Sequence, residues 1–155
     1  MKPAAFAIDT AAAGAAATAA TTATMLCLGH QRDASSWAPL NAVSHIAFGD
    51  DAARHTELSA KYTGTGTALN AAAIMSWAAL YAGVMTMLPK RNLPAAIGAG
   101  AAVAAAAYVT DYYVVPRRLT PGFEKRLDGR SLFWIYSSLA AGLAAGWAVR
   151  QSRYS

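Results

Sequence analysis

Charged side chains are scarce in this sequence, and cysteine is almost absent. Only 14% of the 155 residues are Asp, Glu, Lys or Arg, against 55% hydrophobic residues, which is too little charge for an ordinary soluble domain. A single cysteine, Cys27, excludes an internal disulfide. The chain also lacks HExxH, paired CxxC, glycine-rich phosphate-loop and nucleophile-elbow motifs. We therefore predict no catalytic residue and no metal site from motifs, and the cofactor stays unknown.

Four stretches are almost free of charge, and each is long enough to cross a bilayer. They cover residues of about 3–28, 67–88, 93–115 and 131–149. Such a span needs about 20 apolar residues, and in lipid only a helix satisfies the backbone of a single segment. We predict an all-α fold, a four-helix transmembrane bundle forming one integral membrane domain over residues 1–155. The first stretch contains Asp9 and exceeds the usual length of a secretory signal, so we interpret it as a retained span.

The longest loop, residues 29–66, has a pattern of its own. Apolar residues recur there at helical spacing, at Trp37, Leu40, Val43 and Ala47. This spacing predicts a short amphipathic helix that lies at the membrane interface or enters it as a re-entrant segment. We expect a second short helix to begin at Asp50 or Asp51, which places Asp51 and His55 one turn apart.

Small residues recur four positions apart in the last two spans. The clearest pairs are Gly98 with Ala102, Gly100 with Ala104, and Gly142 with Gly146. In lipid, helices associate through close backbone approach and dispersion contacts, which small residues permit. We interpret Gly142 and Gly146 as packing surface inside the bundle, in preference to a dimer interface.

The net charge of +5 is best explained by membrane topology. Lys and Arg commonly flank membrane spans, and no basic stripe with interleaved aromatic residues points to a nucleic-acid partner. Five basic residues lie on the side of the termini and the short link 89–92, and eight lie on the side of the two longer loops. We predict cytoplasmic termini, because charge counts on longer loops are the weaker guide to orientation.

Ionisable residues within spans are candidates for function, because they are costly to place in lipid. We interpret Asp9 as an interfacial residue or a partner of Lys2 or a nearby threonine. Asp111 is best explained by an ion pair that holds the following loop, through Arg117, Arg118 or Arg130. A role in a site is the alternative for each of the two aspartates.

Alternating spans bring the end of the third span to the same side as the first loop. The polar residues expected to converge there are Asn41, Ser44, His45, Asp50, His55, Asn70, Asp111 and Arg117. Together they have the chemistry to bind a metal, relay protons or recognise a lipid headgroup. For His45 by itself, a hydrogen bond at a helix end is favoured over ligation.

Two segments resemble a group of small four-span bacterial inner-membrane proteins that have no assigned activity. These segments are Pro39–His45, followed by Gly49 and Asp50, and Asp111–Glu124. The resemblance implies the four-span fold and the bacterial inner membrane, and it implies no catalytic role.

The function predicted first is that of a non-enzymatic accessory or scaffolding membrane protein. Its expected partners are the lipid bilayer and either a second copy or another membrane protein. The alternative is a small transporter or membrane enzyme, with its polar site at the face formed by loops 29–66 and 116–130. A third hypothesis is a lipid-headgroup binder that uses the basic residues of loop 117–130.

Overall fold

A computed structural model describes residues 3–152, and these form helices and connecting loops without any strand. The long helices are α1 (Pro3–Asp33), α4 (Thr65–Met87), α5 (Leu93–Val109) and α6 (Gly129–Ser152), and the first loop holds the short helices α2 (Ala38–Val43) and α3 (His45–Phe48). A π-helical turn, Ala60–Gly64, precedes α4, and another, Thr110–Val114, follows α5. The predicted all-α four-helix bundle is confirmed.

Four helical segments are long and apolar enough to cross a membrane. They are Pro3–Asp33, Ala60–Met87, Leu93–Val114 and Gly129–Ser152. Alanine dominates these segments, and it combines the best helix propensity with an apolar side chain. The protein is therefore a multi-pass membrane protein.

Polar caps and prolines set the ends of α4 and α5. The Asn92 side chain accepts a hydrogen bond from the Ala95 N–H at 3.0 Å, which caps the N-terminus of α5. Pro94 falls in the first turn of α5, where no backbone donor is needed. Pro89 follows the end of α4, and Pro116 follows the π-helical turn after α5. The link between α4 and α5 is therefore short, and proline lies just beyond the end of both helical segments.

The described residues divide into two compact units, and each long helix contributes to both. The first unit contains residues 3–21, 71–107 and 136–152. The second unit contains residues 22–70 and 108–135, which include α2, α3 and the loop before α6. The single integral domain expected from the sequence stays a prediction.

Small residues bring helices of the first unit into backbone contact. A Cβ added at Gly142 would collide with the backbone of Ala17, and one added at Gly146 would collide with the backbone of Ala12 and Ala13. Both glycines of α6 therefore pack against α1 of the same chain, as the packing interpretation predicted.

The other helix pairs of this unit also meet at close contacts. At Gly100 of α5, an added Cβ would lie 2.6 Å from the carbonyl oxygen of Ala140 in α6. The Tyr81 hydroxyl of α4 donates to the Ala96 carbonyl of α5 at 3.3 Å. Gly14 of α1 faces Met75 of α4. Each long helix in this unit thus contacts two others, which closes the bundle.

In the second unit, α2 and the first residue of α3 form a buried segment. Residues 38–45 are all buried, including the polar Asn41 and His45, whereas Ala47 is exposed. The first predicted short helix is divided at Ser44 into α2 and α3, and its apolar stripe does not continue to Ala47. A 3₁₀ turn, Asp50–Arg54, lies where the second short helix was expected. Packing on several sides, rather than one apolar face, holds this segment.

Candidate functional site

Two glycines allow other parts of the chain to pack closely against α2 and α3. A Cβ at Gly66 would overlap the carbonyl of Leu40. Gly122 has φ +92°, and a Cβ there would lie 2.5 Å from both the Ala42 carbonyl oxygen and the His45 ring. Glycine avoids both the left-handed strain and the collision. The start of α4 and the loop before α6 therefore reach the backbone of α2.

Asn41 is the polar centre of this packing. Its buried side-chain N–H groups donate to the carbonyl oxygens of His55 at 3.0 Å and Glu57 at 2.9 Å. Its carbonyl oxygen accepts from the Thr63 hydroxyl at 2.6 Å. The hydroxyl of buried Ser44 donates to the Asn41 backbone carbonyl at 2.7 Å. Buried polar groups need such partners, so these contacts give both residues a structural role.

His45 connects α3 to the loop before α6. The side chain is only 2% exposed, and its Nε2 lies 2.9 Å from the carbonyl oxygen of Thr120. Because a carbonyl only accepts, Nε2 must carry a proton. In the neutral ring, Nδ1 is then an acceptor, and the Lys125 ammonium donates to it at 3.3 Å. Thr120 ends a short 3₁₀ turn, Arg117–Leu119, so His45 binds a helix end, as its sequence interpretation favoured.

A cavity of about 740 Å³ opens beside His45, and we call it the loop cavity. Its lining residues are His45, Gly49, Asp50, Tyr112, Arg117, Arg118, Thr120, Glu124 and Lys125. Three basic side chains and two carboxylates therefore face the same space, which favours a polar or charged ligand over an apolar one.

Glu124 fixes the loop that forms one wall of the cavity. Its carboxylate accepts from the Thr120 hydroxyl at 2.7 Å, the Gly122 N–H at 2.7 Å and the Tyr112 hydroxyl at 3.4 Å. Hydrogen bonds to a carboxylate are stronger than those between neutral groups. Glu124 thereby holds the turn that contains Gly122 in place.

Asp50 and Lys125 form an ion pair across the cavity. The hydrogen bond from Lys125, and then its positive charge, lower the pKa of the exposed Asp50 carboxyl below its ordinary value. Lys125 thus contacts both Asp50 and His45, so much of its binding capacity is already used.

Two ion pairs connect the end of α1 to the loop before α6. The Arg126 guanidinium donates to both carboxylate oxygens of Asp33, at 2.5 Å and 2.8 Å. Arg32 lies 3.0 Å from Asp128. Sequence reasoning missed both pairs, since the partners are more than 90 positions apart. One signal for these pairs was available in the sequence. Arg32 and Asp33 are adjacent opposite charges just beyond the predicted end of the first span.

His55 belongs to a separate group of side chains. Its ring stacks on Tyr62 with centroids 3.9 Å apart. Its Nδ1 lies 2.8 Å from Glu57, and its Nε2 lies 3.6 Å from Asp51. The predicted one-turn spacing of Asp51 and His55 is therefore present. A 3₁₀ turn, Asp50–Arg54, provides that spacing.

Of the eight residues predicted to converge, the structure places His45, Asp50 and Arg117 in the lining of the loop cavity. Asn41 and Ser44 are buried beside it, and His55 lies in the separate group. Asn70 is in α4, where its side-chain nitrogen is buried without a hydrogen-bond partner among the described residues. Asp111 lies in the π-helical turn next to Tyr112, outside the cavity lining.

Sequence reasoning placed only Arg117 of the basic cavity residues among the candidates. As site residues, Arg118 and Lys125 were included only in the lipid-headgroup hypothesis for loop 117–130, and Tyr112, Thr120 and Glu124 were not selected. All of these except Lys125 lie in the segment Asp111–Glu124, whose concentration of polar residues next to a membrane span was the available signal.

Asp9 lies in the first unit, away from this group in sequence. Its carboxylate is 3.2 Å from Nε of Arg150 in α6, and both side chains are largely buried. The expected threonine partner is replaced by this arginine, because α1 and α6 pack side by side. Lys2, the other expected partner, lies outside the described residues.

Among residues 3–152, no group of three or more His, Cys, Asp and Glu side chains is placed to hold a metal ion. No protein-family model, no curated protein and no solved structure matches this chain.

Proposed function

We propose that this chain is a non-enzymatic accessory or scaffolding protein of the bacterial inner membrane. It associates with a second copy or with another membrane protein through the outward face of α5. Membership of the four-span family that its loop segments resemble is part of the same proposal.

The observation that carries this proposal is that some of the small-residue pairs pack within the chain and one pair does not. Gly100 and the pair Gly142 and Gly146 are occupied by contacts within the chain. Gly98 and Ala102 instead lie on an exposed face of α5, and an added Cβ at Gly98 would meet nothing within 4 Å. Exposed Ala105 and Ala106 continue this face. A second helix can therefore approach the α5 backbone closely, which is how helices associate in lipid.

The proposed orientation has both termini in the cytoplasm. The short link between α4 and α5 carries Lys90 and Arg91 without an acidic residue. Basic residues in such short connections are retained on the cytoplasmic side.

The alternative, a small transporter or membrane enzyme, has weaker support. It needs His45, Asn41 and Asp111 to face one space, but only His45 of these three lines the loop cavity. The Asn41 side chain is committed to three hydrogen bonds within the chain.

The test is native mass spectrometry of the full chain, gently extracted from its own membrane. We expect a defined homo-oligomer or a stoichiometric protein partner, and we expect Gly98→Leu to abolish it while leaving the thermal stability of the monomer unchanged. Gly83→Leu is the matched control, because Gly83 on α4 also has open space beside it. A wild-type chain that is monomeric and without a partner contradicts the proposal, as does an equal effect of both variants.

A further inference from the structure

We propose that the loop cavity binds the phosphate group of an anionic phospholipid through Arg117 and Arg118. This inference goes beyond the assembly role of α5 and does not depend on it. It concerns the second unit alone, and its observations are the pairing of the cavity charges and the side chains that surround the two arginines.

The first observation is that some of the charged side chains in the cavity have partners within the chain, whereas the two arginines form no ion pair in the part of the chain that the structure describes. Lys125 forms an ion pair with Asp50, and Glu124 is held by Thr120, Gly122 and Tyr112. Within residues 3–152, no ion pair joins Arg117 or Arg118 to a carboxylate. Two adjacent guanidinium groups therefore line the cavity with their donors available to an anion.

The chemistry of arginine selects the class of ligand. A guanidinium presents planar N–H groups that match two oxygens of a phosphate, and it stays charged at every physiological pH. Two such groups in succession, in the 3₁₀ turn Arg117–Leu119, suit a ligand group with several anionic oxygens. A phosphate monoester or diester has this character.

The second observation is the apolar surface on both sides of the arginines. Val114 is 69% exposed at the end of the third membrane segment, and Leu119 is 51% exposed directly after Arg118. Exposed apolar residues beside a pair of cations match a ligand that has both a charged head and a hydrocarbon chain. The position at the end of a membrane segment also brings the cavity to the level of lipid headgroups.

The phosphate can come from a lipid or from a soluble compound, and both would contact the same guanidinium groups. Val114 and Leu119 favour the lipid, because a small soluble phosphate has no hydrocarbon to cover them. The experiment therefore includes an arm for each source.

The experiment uses the full chain in nanodiscs of phosphatidylcholine that contain a small fraction of phosphatidylglycerol. Lipid retained by the protein is measured by native mass spectrometry after release into detergent. We expect wild type to retain phosphatidylglycerol in preference to phosphatidylcholine. Since a charged hydrogen bond contributes about a factor of ten or more to binding, we expect Arg117→Gln/Arg118→Gln to weaken retention at least tenfold.

The matched control removes two charges elsewhere in the same unit, as Arg54→Gln/Arg130→Gln. Neither residue lines the cavity, so retention should stay within about twofold of wild type. An equal loss in both double variants would show a general charge effect and would overturn the site. Thermal unfolding of each variant confirms that the protein remains folded.

Inorganic phosphate provides the second arm. If the lipid is the ligand, millimolar phosphate leaves the retained phosphatidylglycerol in place. If phosphate displaces it, or binds wild type while no phosphatidylglycerol is retained, the lipid assignment is overturned in favour of a soluble ligand. Equal retention of both lipids by wild type overturns the proposal altogether.

Discussion

The Thr63 hydroxyl donates a 2.6 Å hydrogen bond to the side-chain oxygen of Asn41, which is completely buried. The other end of the same amide binds two backbone carbonyls, those of His55 and Glu57. One side chain thereby joins α2 to both the loop that follows α3 and the π-helical turn before α4. The second unit depends on this amide for its loop structure.

Replacing Asn41 with leucine should destabilise the protein strongly. The change keeps the side-chain size but removes the Asn41 partner from two carbonyls and from the O–H of Thr63, whose oxygen still accepts from the Ser59 N–H. The cost should be roughly 2–4 kcal/mol. The measurement is the free energy of unfolding in detergent micelles. Thr63→Val is the comparison variant, since it removes one of the three Asn41 bonds together with the bond that the Thr63 hydroxyl accepts from the Ser59 N–H. It should cost less, because both bonds from Asn41 to the backbone carbonyls stay. A loss for Asn41→Leu no larger than that for Thr63→Val contradicts the structural role.

Adding a methyl group should destabilise the protein at Gly142, which packs inside the chain, but not at Gly98, which faces outward. Gly142→Ala places a Cβ against the backbone of Ala17, and such overpacking costs about 1–3 kcal/mol. Gly98→Ala adds the same methyl group in open space of the single chain, so the stability of the monomer should be unchanged or slightly raised, because alanine is the better helix former. Thermal melting in detergent compares the two variants. Similar melting temperatures would show that α1 and α6 do not pack as described.

The stability of the protein should fall at acid pH in part through Asp128. Its carboxylate accepts hydrogen bonds from the Ser131 side chain and backbone N–H at the start of α6. These bonds, and then the charges of Arg32 and Arg130, lower the pKa of Asp128 below its ordinary value of 3.8. The stability that ionised Asp128 adds to the folded protein is therefore fully present above pH 3.8. It is lost as the pH falls through the lower pKa of the folded state.

Asp128→Asn tests this dependence, because asparagine still caps a helix but carries no charge. The variant should be less stable than wild type near neutral pH, and the difference should shrink as the pH falls below 3.8. Melting temperatures between pH 3 and pH 7 measure the effect. A difference that is independent of pH contradicts the assignment.

The ion pair of Asp9 and Arg150 should behave as a coupled unit. Asp9→Leu removes the carboxylate that lies 3.2 Å from Nε of the largely buried Arg150, which should cost roughly 1–4 kcal/mol of stability. The double variant Asp9→Leu/Arg150→Leu removes both charges and should regain most of the loss, since an apolar pair in lipid needs no counterion. Unfolding in detergent provides the measurement. A double variant that is less stable than either single variant would contradict this pairing.

Part of the candidate site could be predicted from local patterns. Asn41, Ser44 and His45 stood out as polar residues in an apolar setting, and His45 and Arg117 do line the loop cavity. The roles of Asn41 and Glu124 could not be predicted, because each depends on hydrogen bonds to atoms that a sequence pattern does not place. Asp111 was expected in the same site, but Tyr112, the next residue of the turn after α5, lines the cavity instead.

The sequence by itself determined the four membrane spans and the ends set by proline, because hydropathy, length and backbone restriction are local properties of a segment. Only the tertiary structure decided which small residues face inward. Gly98 and Gly142 have similar sequence surroundings, yet one meets open space and the other meets the backbone of α1. It also decided the pairing of Arg126 with Asp33, which lie 93 positions apart. Contacts of this kind arise from how helices pack, and no local pattern encodes them.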